Sequence, residues 1–356
     1  MACTTGHTSS IDRPGTALPL ELVEVTSSAL RPVKPPPPTR TRWRLRYGSS
    51  GAISRGLIAA ATFLPVPEFS VEFVLATRLT RTSIRALLDR HGIDPSRALG
   101  QNFLCDPGTI DKIVRLAGVR AGDHVVEIGP GLGSLTLALA EADATVVAVE
   151  LDRYLVPVLR DVVEGVGATP VTIIEHDALT LDWDDALGAI AGPDTSWSVV
   201  ANLPYNIATP LVLDLLAAEP RFDRWLVMVQ KEVGDRLAAG PGSKIYGIPS
   251  VLTAYWGVAR IVATVPPQVF LPQPNVDSAL VRIDRHVEPP LDVPFADVER
   301  LVRAGFGQRR KMLRRSLSAF LDEQQIAAAG VAPTDRAEQL DLQQWGRLAE
   351  VHRSSV

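Results

Sequence analysis

Cysteine is nearly absent from the chain: only Cys3 and Cys105 occur in 356 residues. That excludes a disulfide framework and a cysteine-based metal site, and it points to a reducing, cytoplasmic setting. Long apolar runs are missing too. The run from Leu57 to Val66 is too short to span a bilayer, and Pro65 interrupts it. Being internal, it also lacks the layout of a secretory leader. There is no excess of positive charge: the formal net charge of −4 excludes a protein that coats nucleic acid indiscriminately, while leaving room for a local basic face. What is present is ordinary globular composition, 46% hydrophobic and 21% charged. It can supply a large core for two domains, or for one α/β domain with an appendage.

Residues 1–76 differ from the remainder. Pro35 to Pro38 form a run expected to be extended, flanked by Arg31, Lys34, Arg40, Arg42, Arg44 and Arg46 with no acid between them. Two readings stand: a basic RNA-contacting or targeting arm, or a dispensable extension. The second is preferred because periodic patterning begins only near Thr80. From Arg81, Ile84, Leu87 and Leu88 share a helical face that Gly92 ends. Asp106 and Pro107 are the N-cap and first residue expected of a second helix, striped by Ile110, Ile113, Val114 and Ala117. The polar loop Gly100 to Leu104 leads into it and is placed to cover a ligand.

The chain then alternates between strand and helix patterns, which predicts a doubly wound α/β sheet. Strands are expected at His124 to Ile128, Thr145 to Val149, Val171 to Ile174, Val199 to Ala201 and Trp225 to Gln230. Further strands near Val251 to Val262 and Leu280 to Ile283 complete the sheet. The first strand ends in Gly129-Pro-Gly-Leu-Gly133 and the second in Glu150, 21 positions beyond Gly129. In doubly wound folds an acid about 20 residues beyond such a turn meets a ribose. Ser134 occupies the place of the third small residue of a dinucleotide fingerprint, and no lysine follows the turn, so neither a dinucleotide site nor a phosphate-binding P-loop fits. Glu127, two residues before Gly129, suits an ammonium-bearing or otherwise cationic ligand; the plainer alternative is a solvated strand end. Asp177, after the third strand, reads equally as an acceptor for an adenine amino group or as a helix cap. After the fourth strand Asn202-Leu-Pro-Tyr205 forms a corner stiffened by Pro204. It presents an amide, a fixed carbonyl and an aromatic ring, which suit a planar base with an exocyclic amino group.

Six segments together resemble one family. Gly100-Gln-Asn-Phe-Leu104, Glu127-Ile-Gly-Pro-Gly-Leu-Gly133, Asn202-Leu-Pro-Tyr205 and Gln230-Lys-Glu-Val233 are similar to the ribosomal RNA adenine dimethyltransferases. Phe270-Leu-Pro-Gln-Pro-Asn-Val-Asp-Ser278 and Phe306-Gly-Gln-Arg-Arg-Lys-Met-Leu-Arg-Arg315 resemble their KsgA (RsmA) branch. Asn275 departs from the basic residue many relatives have there.

The resemblance implies a Rossmann-like, class I S-adenosylmethionine-dependent methyltransferase domain over residues 77–285 and a small helical RNA-binding domain over 286–356. It implies dimethylation at N6 of two adjacent adenosines in the 3′-terminal hairpin loop of 16S ribosomal RNA, within a 30S precursor, by a cytoplasmic monomer without a metal. Asn102, Leu104, Gly129, Glu150, Asp177 and Asn202 are then expected at S-adenosylmethionine. Asn202, Leu203, Pro204 and Tyr205 form the catalytic corner, with Tyr205 and Phe270 stacking on the target adenine. Arg309, Arg310, Lys311, Arg314 and Arg315 are expected at the RNA backbone; read at helical spacing, Arg310, Lys311, Arg314 and Arg315 give one basic face, for which the plainer alternative is a solvated surface. Two other functions compete. One is an Erm-type enzyme acting on 23S ribosomal RNA, against which Leu203 and the Gln308-to-Arg315 segment speak. The other is a non-catalytic RNA-binding assembly factor, against which the intact Asn202-to-Tyr205 corner speaks.

Overall fold

The computed structural model describes residues 78–95 and 100–355, so the expectations for residues 1–76 lie outside it. Of the two units into which the chain divides, only Phe69–Val356 contains described residues. Helix α1 (Arg81–His91) begins at Thr80, whose hydroxyl accepts from the Ser83 N–H, and stops at Gly92. A two-residue strand β1 (Phe103–Leu104) precedes α2 (Pro107–Ala117), which Asp106 caps. Strands and helices then alternate: β2 (His124–Ile128), α3 (Ser134–Glu141), β3 (Thr145–Glu150), α4 (Leu155–Val166), β4 (Val171–Glu175), α5 (Trp183–Gly188), β5 (Trp197–Asn202), α6 (Ala208–Ala218) and β6 (Phe222–Gln230). Helices α7 (Lys231–Leu237) and α8 (Ile248–Trp256) lead to β7 (Gly257–Val265), β8 (Phe270–Leu271) and β9 (Ser278–Arg285). Four helices follow: α9 (Phe295–Gly307), α10 (Leu313–Ser316), α11 (Glu323–Ala328) and α12 (Leu342–Ser354).

Seven strands form one sheet in the order β4-β3-β2-β5-β6-β9-β7. The first five run parallel, and β9 lies antiparallel between β6 and β7. Parallel strands buried on both faces must be apolar throughout, which is why β2, β3 and β5 are valine-rich. Val126, Val147 and Val199 face a cluster with Leu211 and Leu215 of α6; their neighbours Val125, Val146 and Val200 face Ile110 of α2 and Leu135 of α3. Strand order reverses between β2 and β5, which opens a crevice at the carboxyl edge where ligands of such sheets bind.

One strand is shorter than the sequence suggests. Val251 to Trp256 are helical, and β7 begins only at Gly257. This segment is apolar all round, so its periodicity does not distinguish strand from helix. The signal that decides it is Gly247-Ile-Pro249, a helix start with proline in the first turn. α8 also joins the chain's last helices in one core: Val251, Leu252 and Tyr255 pack with Leu301, Leu313 and Trp345.

The basic segment departs from expectation as well. α9 ends at Gly307, and α10 is only four residues long. Arg310 and Lys311 therefore lie in a turn, and the basic residues do not share one helical face. Leu313 and Leu317 are drawn fully inside, which holds the turn against the core.

Candidate active site

A cavity of about 570 Å³ opens at the switch point between β2 and β5. The glycine turn forms its floor. Gly131 stands at φ +59°, and its N–H donates to Glu150 Oε2 at 2.9 Å. A Cβ at Gly131 would lie 3.0 Å from the Phe103 ring, in a backbone conformation that L side chains rarely adopt. The Asp152 N–H donates to Glu150 Oε1 at 2.9 Å. Both carboxylate oxygens of Glu150 are thus fixed while keeping lone pairs for a ligand's hydroxyl groups. Burial raises the Glu150 pKa, and the N–H donors of Asp152 and Gly131 oppose that shift.

Glu127 is not a solvated strand end. It is buried, lines the cavity, and accepts from Thr136 Oγ1 at 2.6 Å. Burial pushes its pKa up to about 8; the Thr136 hydroxyl works against this, and the Glu150 charge adds to it. A carboxyl group held so close to neutrality suits a site awaiting a positive charge.

The loop Gly100–Leu104 forms the opposite wall. β1 pairs antiparallel with β8, matching Leu104 with Phe270, and Ser134 Oγ donates to the Leu104 carbonyl at 2.6 Å. Asn102 lines the cavity and donates from Nδ2 to the Gly100 carbonyl at 3.0 Å. Gln101 Nε2 reaches the far rim, donating to Asp152 Oδ2 at 2.7 Å.

The corner after β5 closes the site. Asn202 Nδ2 donates to the Asn102 carbonyl at 3.0 Å, which fixes the orientation of the carboxamide. Asn202 Oδ1 is buried and has no hydrogen-bond partner among the described residues. Such an orphan acceptor costs ~1–3 kcal/mol unless a ligand supplies a donor. The Leu203 N–H is bonded to the Met228 carbonyl at 3.0 Å, which holds this residue against β6. Pro204 Cδ would lie 3.5 Å from a Cβ at Gly129, so corner and glycine turn approach closely. Tyr205 Oη shares a 2.5 Å hydrogen bond with Ser278 Oγ, and burial raises its pKa while Ser278 lowers it.

The structure thus brings Asn102, Leu104, Gly129, Glu150, Asn202, Leu203, Pro204 and Tyr205 around one cavity. Two expected residues stand elsewhere. Asp177 does not line it; its Oδ1 accepts from the Leu179 N–H at 3.0 Å in a tight turn. Phe270 is fully buried and meets Tyr205 edge-on, with centroids 6.4 Å apart and planes at 79°. It therefore presents no open face to a base and buttresses the Tyr205 ring instead. Arg81 steadies this support by bonding the Phe270 carbonyl at 2.9 Å. Among the basic residues, Arg309 is ion-paired to Glu338 at 2.8 Å and Arg314 lies 3.4 Å from Glu323, whereas Arg310, Lys311 and Arg315 are exposed. Glu127 is legible in the sequence as the acid two residues before the glycine turn; Gln101 and Asp152 are not, because their bond spans 51 positions.

Sheet order, glycine turn, paired acids and the cavity at the switch point define a Rossmann-like class I methyltransferase fold. Two solved structures share it. The 23S rRNA methyltransferase ErmE is 27% identical with a TM-score of 0.55, covering 71% of this chain and 100% of that one. A dimethyladenosine transferase from Plasmodium falciparum is 23% identical with a TM-score of 0.58, covering 71% and 98%. Residues 95–353 match the family described as Ribosomal RNA adenine dimethylase. Ribosomal RNA small subunit methyltransferase A of Leifsonia xyli subsp. xyli is 48% identical over 274 residues, 75% of this chain and 95% of the relative. Its counterpart from Bifidobacterium longum is 45% identical over 291 residues, 78% and 94%. The chain belongs to the ribosomal RNA adenine dimethylase family and is an rRNA adenine dimethyltransferase. Among the described residues, no helix is long and apolar enough to cross a membrane.

Proposed function

We propose that the protein transfers methyl groups from S-adenosylmethionine to N6 of two adjacent adenosines in the 3′-terminal hairpin loop of 16S ribosomal RNA, within a 30S precursor. It does so as a cytoplasmic monomer. The observation that carries this reading is the Asn202 carboxamide, anchored through Nδ2 and left with a buried, unpartnered Oδ1 beside the cavity. An acceptor held that way calls for an N–H donor, and an exocyclic amino group is one. The names of the relatives in Leifsonia xyli and Bifidobacterium longum support the small-subunit target over the large-subunit one.

The cavity suits the cofactor. Glu150 takes the ribose hydroxyls, and Glu127 supplies negative charge for the ammonium end. Asn102, Leu104 and Gly129 line the remaining wall. Asp177, although outside the cavity lining, has the carboxylate oxygen not engaged by the Leu179 N–H left to accept from the cofactor's adenine amino group. Bound there, S-adenosylmethionine supplies an electrophilic methyl on a sulfonium.

The N6 lone pair of adenine is delocalised into the ring and is a poor nucleophile. Hydrogen bonds from the amino group to Asn202 Oδ1 and the Leu203 carbonyl orient it and favour a more tetrahedral nitrogen. In-line placement against the methyl then supplies much of the rate, and no strong base is needed because the N–H becomes acidic once the methyl is attached. Tyr205 stacks on the target base, which leaves an unpaired loop at low cost; stacking of this kind contributes ~1–3 kcal/mol. Arg310, Lys311 and Arg315 meet the RNA backbone from the helical domain over residues 286–356.

The deciding experiment incubates the protein with labelled S-adenosylmethionine and 30S particles lacking the modification, then maps the product. Two dimethyladenosines in the 3′-terminal hairpin loop are expected. Label in 23S RNA, or none, overturns the reading.

A further inference from the structure

Arg309 sits inside a run of cations, yet its surroundings differ from those of Arg310 and Lys311. Its Nε donates to Glu338 Oε2 at 2.8 Å and its Nη2 to the Lys244 carbonyl at 2.7 Å. Its guanidinium lies 6.0 Å from the centroid of the Phe306 ring, which meets Tyr246 edge-on at 5.9 Å. The same stretch of chain is tied twice more to the loop between α7 and α8. The Gly242 N–H donates to the Glu338 carbonyl at 2.7 Å, and Tyr246 Oη donates to the Leu340 carbonyl at 2.8 Å. Arg309 thus fills the angle between the loop Gly242–Tyr246, which joins α7 to α8, and the segment 337–340 among the C-terminal helices. Between the ends of that loop stand Lys244 and Ile245, both exposed, and Lys244 has no acidic partner among the described residues.

We propose that Arg309 is a positioning residue that clamps the loop Gly242–Tyr246 to the C-terminal helices, so that Lys244 is presented to the RNA backbone beside Arg310 and Lys311. The clamp is a matter of geometry alone; the part that concerns RNA rests on the function proposed above. A planar fork is required, because one guanidinium serves a carboxylate, a backbone carbonyl and a ring face together. Lysine offers the charge without the fork. A direct phosphate contact has the opposite requirements: charge suffices, and Glu338 is a competitor for it.

The two roles part at three points: the size of the Arg309→Lys effect, the sign of the Glu338→Gln effect and the additivity of the double variant. For the clamp, Arg309→Ala, Arg309→Lys and Glu338→Gln each speed hydrogen exchange at Gly242–Tyr246 in the free protein, by about tenfold for the loss of a charge-assisted bond at a partly exposed site. Each also raises the KM for 30S particles lacking the modification and leaves kcat at saturation unchanged. Lys244→Ala raises the KM alone, and combining it with Arg309→Ala adds little. For a direct phosphate contact, Arg309→Lys is nearly silent, Glu338→Gln lowers the KM by freeing the cation, and the double variant is additive. Any of those three results overturns the clamp, as does unchanged exchange in all three variants. The exchange measurement needs no RNA, so it tests the clamp even if methylation of 16S RNA fails.

Discussion

Asn202 has one hydrogen-bonding atom committed to the scaffold and one to the cavity. Asn202→Ala removes the orienting acceptor while leaving Glu150, Glu127 and the glycine turn in place. Transfer is expected to fall at least ~10²-fold with cofactor affinity largely kept, since misplacement of a reacting group costs about that much. Single-turnover rates beside calorimetric cofactor binding check it; retained dimethylation shows that the amide is not the orienting group. Glu127 yields a second prediction. Its pKa is raised from 4.5 to about 8 in the folded protein, so the folded state holds a proton that the unfolded state releases above pH 4.5. The contribution is a stabilisation fully present below pH 4.5 and lost as pH rises toward 8. Glu127→Gln is expected to flatten the decline in thermal midpoint of the ligand-free protein between about pH 5 and 8. Cofactor binding below pH 8 is expected to release a proton, measurable as a dependence of binding enthalpy on buffer ionisation. No release means that the carboxyl stays neutral beside the ligand.

At the scale of elements, the turn after β2 is fixed by what α3 and α4 leave room for. Gly133 stands at φ +90°, and a Cβ there would come within 2.8 Å of Leu159 Cδ1 on α4. Gly133→Ala is expected to cost ~1–3 kcal/mol in stability through strain and overpacking, seen as a lower midpoint in urea. An unchanged midpoint would show that α4 can shift at no cost. The same scale shows what could be read from sequence. β2 and β3 announce themselves as valine runs ended by glycine or acid, and Glu150 stands at ribose-contacting spacing. α8 did not, because Val251 to Trp256 is apolar on every side and only Pro249 distinguishes helix from strand. The burial of Phe270 is hidden too: its cover includes Leu104 of β1 and Ile110 of α2, well over a hundred positions away. Arg310 and Lys311 lost their shared helical face because α9 stops at Gly307, which spacing alone did not reveal.

For the whole molecule, a cluster centred on Leu301, Leu313 and Trp345 binds the C-terminal helices to α8. These helices are therefore expected to unfold together with α8 in one transition, and Trp345→Ala is expected to cost ~3–5 kcal/mol. A separate early transition for residues 286–355, followed by hydrogen exchange, would show two independent units. A chain starting at Thr77 is expected to keep folding and methyl transfer, because periodic patterning begins only near Thr80. It retains Arg78, which bonds Asp111 of α2 at 2.7 Å. Loss of activity on truncation would assign residues 1–76 a function.

The locked carboxamide has one more consequence. Because Nδ2 is held by the Asn102 carbonyl, the carboxamide is fixed with Oδ1 as its open acceptor. Under the proposed function the target nitrogen begins with two hydrogens, has one after the first transfer, and none after the second. The corner therefore registers progress by subtraction. Unmodified adenosine offers two donors to the two oxygens, monomethyladenosine one, and dimethyladenosine leaves Asn202 Oδ1 as bare as it is without a ligand. A finished base loses its hold on the site without any switch in the protein, and affinity for hairpin RNAs carrying zero, one or two methyl groups on that nitrogen should fall in that order.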